Sequence, residues 1–138
     1  MMTKDELLAR EETAWTTFVQ AAEATPEERR GVEGVVPGWS VHDLLWHCVY
    51  WADYAGASLE RRNAGGSEPD EPPESEVLAA GREISWEVIM QRSAAARERV
   101  RAAVSATTEL NDEILGLVAS ETFDHYDEHA AEIRTFNA

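Results

Sequence analysis

Near its C-terminal end the chain reads Thr122-Phe123-Asp124-His125-Tyr126-Asp127-Glu128-His129-Ala130-Ala131-Glu132-Ile133-Arg134. With its neighbours this stretch sets Val118, Thr122, His125, His129, Ile133 and Phe136 at steps of four, three, four, four and three, the period of a helix face. The spacing predicts a helix over about 112–136 with both imidazoles turned inward. No window of the sequence alternates convincingly at period two, so a sheet is not required.

The helical period recurs upstream. Thr3 with Glu6 forms a capping box and Met2 can staple onto Leu7, so a helix is expected over about 3–24, with Leu7, Leu8, Ala14, Trp15, Phe18, Val19 and Ala22 on its apolar face. Ser40 is a good N-cap with Asp43 at the third helical position, opening a helix over about 40–62 whose stripe is Leu44, Leu45, Cys48, Trp51, Ala52, Ala55 and Leu59. Trp86, Ile89, Ser93, Ala96, Val100 and Ala103 continue the pattern through a third helix over about 75–104. Residues 63–74 hold Gly65, Gly66, Pro69, Pro72 and Pro73 among acids and read as a mobile surface loop. Four helices joined this way predict an all-α, four-helix-bundle domain spanning residues 1–138.

Composition narrows the function classes. Apolar residues make up 43% of 138, enough for a core and too many for a disordered chain. Twelve Lys and Arg face 27 Asp and Glu, a net charge of -15, and no basic stripe is present to neutralise phosphates, so nucleic acid is not expected as a partner. No run approaches the ~18 apolar residues of a membrane span, so no membrane partner is expected. The lone Cys48 excludes an internal disulfide framework, and an acidic start with no leader pattern points to the cytoplasm.

Chemistry concentrates in the histidines. His125 and His129, four apart, lie one helical turn apart on one face and are close enough to share a cation. His47, at the edge of the second helix's stripe, can supply a third imidazole, and three imidazoles with an open position are the ligand set of catalytic zinc sites. Nickel, manganese and iron(II) suit the same donors. On spacing alone such a pair is more often structural, and a hydrogen-bonded core pair is the rival reading. Two buried imidazoles without partners are costly, however, and one ion satisfies a nitrogen on each. His42 falls in the first turn of its helix, where exposure and no role are expected. Glu121, Asp124, Asp127 and Glu128 flank the pair as surface charges; Asp124 and Glu128, nearest in sequence, are the candidates to hold a ligand imidazole or move a proton. Trp46, Tyr50, Trp51 and Tyr54 surround His47 along the helix and can wall a pocket.

The run Gly38-Trp39-Ser40-Val41-His42-Asp43-Leu44-Leu45-Trp46-His47, the closing His-Tyr-x-Glu-His-x-x-x-Ile-Arg of residues 125–134 and the Lys-Asp-Glu-Leu-Leu opening resemble the DinB/YfiT-like superfamily, nearest its ClbS/DfsB branch. That resemblance implies an up-down-down-up bundle, often dimeric, with a three-histidine metal site carried onto His47, His125 and His129. It also implies either thiol-dependent chemistry, with mycothiol or another low-molecular-weight thiol, or protection against electrophilic toxins. The expectation is therefore a metal-dependent enzyme acting on a small electrophile by hydrolysis or thiol transfer, with a divalent ion, zinc or nickel foremost. A sequestering protein with the same bundle cavity is the alternative, and helix faces rich in Ala and Trp would suit a homodimer.

Overall fold

Thr3 and Ser40 start their helices by the same device. Each hydroxyl accepts a bond from the amide three residues on, and the Glu6 or Asp43 carboxylate at that position bonds back to the cap amide, so two orphan donors are satisfied at once. The computed structural model describes residues 2–138, which form α1 (Lys4–Ala24), α2 (Val41–Asn63), α3 (Glu74–Arg82), α4 (Trp86–Ala106), α5 (Asp112–Glu121) and α6 (Phe123–Asn137), with a 3₁₀ turn at Glu27–Arg29. Among the described residues the chain is all-helical, apart from one isolated bridge between Val36 and Trp39.

Two helices expected to be continuous are each divided. The third, expected over 75–104, ends at Arg82 and restarts at Trp86. Gly81 lies against the Trp46 indole so closely that an added Cβ would stand 2.1 Å from Trp46 Cδ1. The Gly81 carbonyl is taken by the Ile84 amide at 3.2 Å and lies 3.0 Å from His42 Nε2, while Ser85 caps the next helix by accepting from the Val88 amide. The last helix, expected over 112–136, bends at Thr122 (φ -123°, ψ -98°), whose hydroxyl donates to the Val118 carbonyl at 2.6 Å. Back-bonding of this kind bends helices.

α2 packs chiefly on α4, with further contacts to α3 and α5, and α1 packs on α6. The close α2–α4 approach runs over Gly56, where a Cβ would meet the Val100 amide at 3.2 Å. Leu7, Phe18, Leu44, Leu45, Leu59, Ile89, Val100, Val104, Tyr126 and Ile133 are buried between the helices. Each such side chain contributes roughly 1.5–3 kcal/mol on leaving water. One ionic pair crosses this core: Arg97 of α4 meets both oxygens of Glu11 on α1 at 2.8 and 2.9 Å, with side chains 17% and 4% exposed.

The segment expected to be a mobile loop, 63–74, includes the last residue of α2 and the first of α3 and is irregular between them. It is tied down by Tyr54, which donates to the Pro69 carbonyl at 2.8 Å, and by the Arg62–Glu68 pair. The Trp46 indole N–H donates to the Val77 carbonyl at 2.8 Å and fixes α3 on α2. Together these contacts set Glu74, the first residue of α3, beside α2.

Candidate metal centre

His47 projects from α2 and His125 and His129 from α6, and the three rings meet at centroid separations of 4.5 Å (47–125), 5.3 Å (47–129) and 4.6 Å (125–129). One nitrogen from each lies within 4.8 Å of the others, and Nε2 of His47 and Nε2 of His125 are 2.8 Å apart. His129 is buried, and the other two are partly buried. The Trp39 ring stands edge-on to His47 at 4.9 Å.

The far nitrogens of two rings are held by carboxylates. His47 Nδ1 lies 2.7 Å from Glu74 Oε1, and His129 Nδ1 bonds Glu132 Oε1. A carboxylate on Nδ1 fixes the proton there, so Nε2 carries a lone pair facing the cluster centre. His125 has no such helper: its Nδ1 is buried with no hydrogen-bond partner. Burial, with His47 and His129 adding to it, drives the His125 pKa down to about 3, and burial lowers that of His47 against the opposing pull of Glu74. Both rings are therefore neutral at pH 7, the form that binds metal.

These residues fit a divalent ion. Three imidazoles aim ring nitrogens at one point, a single proton between His47 and His125 can satisfy only part of that set, and two rings already have the carboxylate support that metal-bound histidines use. Cys48 contributes nothing, since its thiol is fully buried and burial pushes its pKa well up.

The open side of the cluster is a cavity of about 260 Å³ lined by His47, His125, Trp51, Glu71, Glu74, Ser120 and Glu121. Burial, with Glu71 and Glu74 adding to it, raises the Glu121 carboxyl to about 7. Of the aromatic residues near His47 in sequence, only Trp51 lines this cavity; Trp46 and Tyr50 line a separate one of about 320 Å³ beside Arg92.

Several positions differ from the sequence expectation. Asp124 and Glu128 are exposed, and neither hydrogen-bonds an imidazole; Glu74 and Glu132 take that position. Glu132 was legible, because three residues after His129 is the same helix face. Glu74 was not, because 27 residues separate it from His47 and only the fold of 64–82 joins them. His42 is partly buried rather than exposed and is engaged at Gly81.

The sequence profile of the DinB superfamily matches residues 11–131. The chain belongs to the DinB superfamily. No curated protein matches it. Three solved structures share the fold across nearly the whole chain. The colibactin self-resistance protein ClbS, determined in complex with a dsDNA, is 15% identical with a TM-score of 0.78, covering 99% of this chain and 96% of its own. An uncharacterised protein from Escherichia coli UTI89 is 15% identical with a TM-score of 0.76, covering 98% and 92%. A Streptococcus pneumoniae protein is 13% identical with a TM-score of 0.77, covering 99% and 91%. At these identities the likeness is one of fold. It nevertheless overturns the exclusion of nucleic acid drawn from the net charge, because a protein of this fold has been seen on dsDNA. The exclusion rested on the net charge and on the lack of a basic stripe in the sequence, and neither describes the charge on each face of the folded chain. No helix among the described residues is long and apolar enough to cross a membrane.

Proposed function

We propose that this DinB-superfamily protein is a metal-dependent enzyme that uses His47, His125 and His129 to hold a divalent ion, zinc or nickel foremost and manganese or iron(II) next. It acts on a small electrophilic molecule by hydrolysis or by transfer of a low-molecular-weight thiol. One observation carries the reading: three imidazole nitrogens within 4.8 Å of one another, two of them backed by carboxylates. An ion held there supplies a Lewis acid that makes water or a thiol a better nucleophile near neutral pH. Glu74 and Glu132 keep two rings in the donor tautomer and stop them rotating. Trp51 shields one wall of the cavity from solvent.

The helical rods, taken as α1, α2, α3 with α4, and α5 with α6, are read as the up-down-down-up four-helix bundle of the superfamily. The self-resistance role of ClbS supports a small reactive toxin as the kind of substrate. Metal analysis of protein purified without an affinity tag, repeated on His129→Ala, tests the site: about one ion per chain is expected in the parent and loss in the variant. Full retention in the variant would remove the proposal.

A sequestering protein without turnover is the second reading, favoured by the separate 320 Å³ cavity lined by Trp46, Val49, Tyr50 and Ala96. Incubating substoichiometric protein with a panel of electrophiles distinguishes the two, since several turnovers per chain are incompatible with trapping.

A further inference from the structure

We propose that Glu121 is the proton acceptor for the nucleophile that enters the histidine cavity, an inference that rests on the metal-dependent reading above. Three acids line that cavity, and they are not equivalent. Glu74 is engaged by His47 Nδ1. Glu71 is exposed and belongs to the irregular segment between α2 and α3. Glu121 alone is partly buried and set on a regular element, the last residue of α5, immediately before the bend at Thr122. Among the described residues it has no cation and no hydrogen-bond donor as a partner, and its carboxyl bonds none of the three imidazoles. No Lys or Arg lines the cavity, and the Ser120 hydroxyl is turned back to the Leu117 carbonyl at 3.2 Å. A half-buried carboxyl left without a partner, in the wall of a cavity that also exposes two imidazoles, is placed to take a proton from whatever binds between them.

The step is a heterolysis. The S–H bond of a thiol, or the O–H bond of water, breaks as the nucleophile enters; its electron pair stays on sulfur or oxygen, and the proton forms an O–H bond on Glu121. The same proton is then available to the leaving group when the nucleophile attacks. Glu121 can carry it because it is half-buried at the end of α5, faces the same cavity and is engaged by no donor or cation among the described residues. His47 and His125 face the same space but offer no acceptor once their Nε2 lone pairs are committed to an ion.

The inventory of protons tests this without any known substrate. Cobalt(II)-loaded full-length protein is titrated with 2-mercaptoethanol. The sulfur-to-cobalt charge-transfer band reports binding as thiolate, and calorimetry in buffers of different ionisation enthalpy counts protons released. The parent is expected to release measurably fewer protons per thiol bound than Glu121→Gln, because Glu121 keeps a share of them and glutamine cannot. Glu71→Gln removes a neighbouring charge but leaves the acceptor in place, so its proton release should stay below that of Glu121→Gln, and all three should hold the same cobalt. Equal release from the parent and Glu121→Gln would overturn the assignment while leaving the metal reading intact. Absence of cobalt binding, or of the charge-transfer band in the parent, would instead overturn the metal-dependent or thiol reading, and the assignment to Glu121 with it.

Discussion

Two polar clusters interrupt the apolar interior, and they end differently. Glu11 and Arg97 join α1 to α4 through two hydrogen bonds and opposite charges, so each group is the other's partner. His47, His125 and His129 join α2 to α6 with three nitrogen donors aimed at one another and at most one proton between His47 and His125 to share. A charge pair is complete within the chain; a ring of lone pairs is complete only with a cation. Under the proposed reading, the difference separates a buried polar group that serves the fold from one that serves a ligand.

Four measurements can break or sharpen that contrast. The largest effect should come from opening the closed pair: Arg97→Ala strands a carboxylate that is 4% exposed and is expected to cost about 3–5 kcal/mol in urea unfolding. The double change Glu11→Leu with Arg97→Met should be nearly neutral; an equally large loss there would mean that the pair does more than satisfy itself. Next, chelation of the metal-loaded protein with EDTA should lower stability by roughly 3 kcal/mol when free metal had stood about a hundredfold above its dissociation constant. An unchanged melting curve would make the histidine cluster as self-sufficient as the ion pair. Third, Glu132→Gln should weaken zinc affinity by roughly 10–100-fold in a competition titration while leaving the fold intact. No change would mean that the carboxylate does not orient His129.

The smallest effects concern pH, and their signs are opposite. His125 has its folded pKa depressed to about 3 from 6.5, so the stability it contributes to the metal-free protein is present above pH 6.5 and is lost as pH falls toward 3. Glu121 has its folded pKa raised to about 7 from 4.5, so its contribution is complete below pH 4.5 and is lost as pH rises through about 7. His47 faces the same cavity and, with its pKa also lowered by burial, adds to the His125 slope. In metal-free Glu121→Gln, unfolding midpoints should decline less between pH 4.5 and 7 than in the parent. A parallel decline would show that this carboxyl is not the group responsible.

Much of the helical architecture was written in local pattern. Thr3 with Glu6 and Ser40 with Asp43 are capping boxes that depend on residues three apart, and both form. The inward stripe of His125, His129 and Ile133 follows from the helical period alone. The bend at Thr122 was less legible because the apolar period runs through it, Val118 staying in phase with His125. Gly81 with Ser85 marked one break, but the Trp46 indole that requires Gly81 lies 35 positions away. The flanking acids misled for the same reason. Asp124 and Glu128 are near the histidines in sequence yet on the solvent side of α6, whereas Glu74 arrives from another helix.

The sequence by itself determined an all-helical chain with two inward imidazoles on its last helix, because capping and a 3.6-residue period act within one or two turns. Only the tertiary structure decided that His47 meets them, that Glu74 backs His47 and that Glu121 is left without a partner. Those relations join side chains 27 to 82 positions apart, and distance in space between such residues is set by packing, which no local period encodes.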